Sequence, residues 1–131
     1  MGAADTNVLL RLVLEDDESQ ARAARAFVKT QAPLFVSHVV LAELSWVLAS
    51  GYDFSRDAIG SVVEMLLETD GIEVQDVGVV QTAHAHHRAS HADLADCLVL
   101  AIASRAGALP LGTFDKKLGK LVGTRRLEPR G

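Results

Sequence analysis

Apolar and polar positions switch between a period of two and a period near 3.6 along this chain, and the switches mark out its elements. Ala3 to Leu10 is a short apolar segment broken by Asp5-Thr6-Asn7, which suits a strand ending in a polar turn. From Asp16 to Gln31, Ala21, Ala24, Phe27 and Val28 recur at spacings of three and four, so this stretch reads as an amphipathic helix with Asp16 or Asp17 as its cap. Pro33 to Ser37 is a brief β-rich run, and Ser37 is placed to cap a helix from His38 to Ser50 that Gly51 stops. Ser55 begins another helix reaching about Glu68, Asp70-Gly71 marks a turn, and Ile72 to Val77 alternates as a strand does. Helices follow over Val79–Ala89 and His91–Ala106, the second stopped by Gly107. Leu109 to Phe114 returns to strand character, Asp115 to Val122 reads as a short final helix, and Leu127 to Gly131 as a frayed terminus.

This order, roughly β-α-β-α-α-β-α-α-β-α, predicts an α/β fold: a three-layer α/β/α sandwich around a central, mostly parallel sheet. Ligands in such sheets bind at the carboxyl ends of the strands. A length of 131 residues allows one domain, 1–131, and not two of ordinary size. With 49% hydrophobic residues the composition is globular. No apolar run approaches the ~18 residues that would span a bilayer. Met1-Gly-Ala-Ala-Asp5 has no basic region followed by an apolar run, so a secretory leader is not expected. The lone Cys97, among Leu94, Leu98 and Ala101 at helical spacing, reads as a core residue of a cytoplasmic protein.

The candidate chemistry lies in the acids. Asp5 follows the first strand and Asp115 the last, so both should emerge at one edge of the sheet. Asp93 and Asp96 stand three apart in the first turns of an apolar helix and share a face. Glu43 is the sole charge in Val39-Val-Leu-Ala-Glu-Leu-Ser-Trp-Val-Leu48, where burying a bare carboxylate would demand a partner. Three of the acids also have a structural reading, Asp5 as a turn residue, Asp115 as an N-cap and Asp93 as a helix-terminus charge, whereas Glu43 and Asp96 interrupt apolar surfaces with no basic residue in helical reach. Together they point to a shared cation, and oxygen ligands without Cys or paired His select Mg²⁺ or Mn²⁺. Removing the negative charges of Asp5, Glu43, Asp93, Asp96 and Asp115 from a net charge of −4 leaves +1. Six of the 13 Lys and Arg residues lie beyond position 115, so the C-terminal end is basic.

Four motifs in order, Asp5-Thr-Asn-Val-Leu-Leu-Arg11, Ser37 to Leu48, Ala92-Asp-Leu-Ala-Asp-Cys-Leu98 and Thr113-Phe-Asp-Lys-Lys-Leu118, resemble those of PIN-domain nucleases, and among these the VapC-type toxins. Met1-Gly-Ala-Ala4 is less apolar than the family's usual first strand. The resemblance implies that Asp5, Glu43, Asp96 and Asp115 form the catalytic, metal-binding quartet, with Asp93 as a further acid and Thr6, Asn7 and Thr113 as polar supports. It implies a Mg²⁺-dependent endoribonuclease that leaves a 3′-hydroxyl and a 5′-phosphate and is held in check by an antitoxin. Two alternatives stand beside it: a housekeeping nuclease with no antitoxin, and a catalytically silent binding module.

Lys116, Lys117 and Lys120, with Arg11 and Arg105, are placed to meet RNA phosphates or simply to solvate a helix face. Trp46, Tyr52 and the four Phe lie mostly in core-like patterns, which does not indicate base stacking. His84, His86, His87 and His91 offer a Zn²⁺ or Ni²⁺ site by spacing, although the segment looks like an exposed face. Apolar residues in excess over Asp16–Gln31 and Ser55–Glu68 suggest a homodimer, as the resemblance does.

Overall fold

The computed structural model describes residues 1–14 and 16–130, in two compact units, Met1–Val77 and Gly78–Gly131. The first contains β1 (Gly2–Ala3), α1 (Thr6–Leu14), α2 (Glu18–Gln31), β2 (Leu34–Val36), α3 (His38–Tyr52), α4 (Arg56–Glu68) and β3 (Ile72–Val74). Its three strands pair in parallel in the order β1-β2-β3, with Gly2 opposite Leu34 and Leu34 opposite Ile72. The second contains α6 (Leu94–Arg105), β4 (Leu111–Thr113), a 3₁₀ turn at Leu118–Lys120 and β5 (Thr124–Arg126), with α5 (Val77–Ala89) leading into it. β4 and β5 are parallel, with Thr113 opposite Arg126. All pairing is therefore parallel among the described residues, as the alternation of strands and helices implies.

Local chemistry explains most boundaries. Asp17, Ser37 and Ser55 each accept a hydrogen bond from the backbone N–H three residues on, at 3.0, 3.2 and 3.1 Å, and so start α2, α3 and α4. The stop of α3 differs from the sequence expectation. The helix runs through Gly51, and Asp53 takes the left-handed conformation at φ 56°, which Asp tolerates better than most residues. Gly107, at φ +71°, ends α6 as expected.

Two segments correct the sequence reading. Ala3 to Leu10 is not a strand: β1 ends at Ala3, and α1 follows, burying Thr6, Leu9 and Leu10 at spacings of three and four. A short apolar run carries too little periodicity to distinguish the two. The expected final helix from Asp115 to Val122 is only the 3₁₀ turn, because Gly123 at φ +93° turns the chain into β5. Leu127 is not frayed, since its N–H bonds the Thr113 carbonyl at 2.7 Å and prolongs the ladder; Gly131 lies outside the described residues.

The core of the first unit gathers Leu34 and Val36 of β2 with Leu9, Leu41, Leu44, Leu48 and Leu66, all nearly or wholly inaccessible. That of the second includes Cys97, Leu98, Leu100 and Leu118. Leu34→Ala, on the central strand, should therefore lower unfolding stability by about 2–5 kcal/mol. Urea titration followed by circular dichroism checks this, with a midpoint shifted at little changed slope.

Candidate acidic site

In the second unit, Asp96 lies within electrostatic reach of both Asp93 and Asp115. Asp93 occupies the N-cap position of α6 but makes no side-chain cap bond, so its carboxylate is not spent on the helix. Asp96 sits one turn further on and is half-buried. Its carboxyl is pushed above the ordinary value of 3.8, first by burial and then by the charges of Asp93 and Asp115. The favourable field of a helix N-terminus does not outweigh these effects.

Asp115 follows β4 on a tightly defined turn. Its backbone N–H donates to Thr113 Oγ1 at 3.0 Å, and its Oδ1 accepts from the Leu118 N–H at 2.7 Å. In the first unit, Asp5 Oδ1 likewise accepts from the Val8 N–H at 3.0 Å, capping α1. The capping readings of Asp5 and Asp115 are thus real. They do not exclude ligation, because a cap engages one carboxylate oxygen and fixes the direction of the other. Thr6 is buried beside Asp5, and Asn7 is exposed. Asp5, Asn7, Val8 and Arg11 line one side of a cavity of about 370 Å³, with Gln20, Ala23, Ala24 and Phe27 on the other.

Glu43 is exposed on α3, so the argument that burial forces a partner on it falls away. Arg11 directs its charge to Asp16 at 2.7 Å and is only 15% exposed in its side chain, which leaves less of it for RNA. Lys116, Lys117 and Lys120 are exposed around the 3₁₀ turn. His84 and His87 are buried, not on an exposed face, and no group of three or more His, Cys, Asp or Glu poised to hold a metal exists among the described residues. The aromatics are less core-like than the sequence suggests, since Trp46 and Phe114, the latter next to Asp115, are exposed. Sequence pattern gave no sign of β5, which sets Arg126 beside Thr113.

The PIN domain family matches residues 3–123, across both units. Among curated proteins, the chain is similar to a VapC ribonuclease of Aquifex aeolicus (strain VF5), 27% identical over 124 residues and covering 92% of each chain.

The electrostatics of Asp96 have a thermodynamic consequence. Its folded form binds a proton more tightly than the unfolded chain, so stability falls as pH rises from 3.8 through the raised value and stays reduced above it. Asp96→Asn removes the ionisable group. In chelator at neutral pH the variant should melt at the same or a higher temperature than the parent, and this advantage should vanish below 3.8. Thermal melts by circular dichroism across that pH range provide the check; a variant markedly less stable at neutral pH would make Asp96 a fold-supporting acid.

Proposed function

Since the chain belongs to the PIN-domain family, and with it to the α/β/α class expected from the sequence, we propose that it is a divalent-cation-dependent endoribonuclease, the toxin of a toxin–antitoxin pair. The observation that carries this reading is the PIN domain match over residues 3–123, and the carboxyl of Asp96, pushed up first by burial and then by the charges of Asp93 and Asp115, is in keeping with it. Crowded carboxylates repel one another, and a cation relieves that repulsion at lower cost than protonation at neutral pH. The donors are all oxygen, which suits Mg²⁺ or Mn²⁺.

Asp96 and Asp115 of the second unit would hold the cation, and the family resemblance adds Asp5 and Glu43 to the set and Asp93 as a further acid. When bound, the cation would lower the pKa of water and offset the charge developing on the phosphate. The chain's own residues supply the rest. The Thr113 hydroxyl holds the Asp115 backbone N–H, the Leu118 N–H fixes the Asp115 carboxylate, and the Val8 N–H fixes that of Asp5. Lys116, Lys117 and Lys120 present ammonium groups to flanking phosphates. Water adds its hydroxyl to phosphorus, the P–O3′ bond breaks, and the 3′ oxygen takes up a proton, leaving a 3′-hydroxyl and a 5′-phosphate.

The similarity to a VapC ribonuclease supports RNA as the substrate and an antitoxin as the partner. No helix of the described residues is long and apolar enough to cross a membrane, and we place the activity in the cytoplasm. Phe27 of α2 and Met65 of α4 are more than a third exposed, which favours a homodimer covering those helices. Sedimentation should then give a species twice 14.0 kDa.

Cleavage of a mixed RNA by the purified protein tests the activity. Mg²⁺ or Mn²⁺ should be required, excess chelator should abolish cleavage, and Asp96→Asn should reduce it by about 10²-fold or more. Full activity in chelator would overturn the metal reading. Inactivity with every divalent cation would favour a silent binding module. Expression without its neighbouring gene should arrest growth, and indifference to that gene would favour a housekeeping nuclease.

A further inference from the structure

We propose that Arg126 is a positioned phosphate-binding residue that holds the RNA strand beside Asp115, an inference that rests on the ribonuclease reading above. Two observations place it. β5 pairs with β4 so that Arg126 stands opposite Thr113, two residues before Asp115, and the Leu127 N–H to Thr113 carbonyl bond of 2.7 Å locks that register. The Arg126 stem also lies across the 3₁₀ turn. A Cβ added at Gly119 would come within 3.0, 3.3 and 3.4 Å of Arg126 Cβ, Cγ and Cδ. Three carbons of the side chain therefore pack closely on the Gly119 backbone, where a larger residue would press on them, in the same turn that Asp115 caps through Leu118.

Arginine is suited to this place for physical reasons. Its guanidinium stays charged and offers a planar fork of donors that matches a phosphate. A stem already laid on Gly119 loses less freedom on binding than a free side chain does. Arg126 is exposed, and no carboxylate pairs with it among the described residues. Lys116, Lys117 and Lys120 flank Gly119 along the chain, so this segment is positive although the chain carries −4 overall. That favours a polyanion. Arg125, adjacent on the strand, points to the opposite face and is the charge-matched contrast. Charge on an edge strand also discourages strand-to-strand association, a role that needs no RNA.

The test compares Arg126→Gln, Arg126→Lys and Arg125→Gln in the full chain. Steady-state cleavage is measured against salt, and binding of a labelled single-stranded RNA is measured in an Asp96→Asn background. Arg126→Gln should raise KM several-fold with kcat unchanged, and should lessen the slope of log affinity against log salt by about 0.7, one phosphate contact on a single strand. Arg126→Lys should restore the slope but not the full affinity, and Arg125→Gln should change either quantity less. The inference is overturned if Arg126→Gln cleaves and binds as the parent does. It is also overturned if Arg125→Gln matches it, showing diffuse charge, or if kcat and melting temperature fall together, showing a structural role. Weakened binding of an acidic protein segment with RNA binding intact would reassign Arg126 to a protein partner. A parent that neither binds nor cleaves RNA would instead remove the ribonuclease reading itself.

Discussion

The handover from a parallel strand to the element after it constrains much of this molecule, because a carboxylate placed there has two oxygens and the backbone claims only one. Asp5 after β1 and Asp115 after β4 each accept an N–H from three residues further on. That single bond starts α1 in one case and the 3₁₀ turn in the other. It also orients the remaining oxygen. The cap and the ligand role proposed above would therefore make the same demand on each residue, and neither displaces the other.

Asp96 is under a different constraint. It lies on an apolar helix, half-buried, facing two like charges, and its ionisation is disfavoured in the folded chain. Such a group is a poor contributor to stability and a natural cation ligand. The adjoining segment has the opposite character, with Lys116, Lys117 and Lys120 around the turn and Arg126 on β5. Acids that would gather a cation are followed by bases that would gather phosphates within fewer than forty residues, a count spanning Asp93 to Arg126. The net charge of −4 conceals this division.

What was legible in the sequence follows the strength of local signals. Ser37 and Ser55 were readable as caps because a hydroxyl before an amphipathic run has few other uses, and the helix to Glu68 ends where the pattern does. The acids were readable because charges interrupt apolar stretches. Residues 3–10 were misread because eight mostly apolar positions fit either period. β5 was invisible: Thr124-Arg-Arg126 has no alternation, and its pairing with β4 depends on a turn at Gly123 that sequence cannot orient. Glu43 was singled out on a burial argument that does not hold, since its surrounding apolar residues are divided between an interior and an exposed face of α3.

That divided face has a practical side. Trp46, the one tryptophan in the chain, is 68% exposed on α3, one turn beyond Glu43. Its indole already sits largely in water, so its emission differs little between folded and unfolded protein and is a weak reporter of unfolding. The same position makes it a sensitive optical probe of whatever comes to lie on α3. Any macromolecule that covers the helix must dehydrate the only indole present, and the resulting spectral shift needs no label.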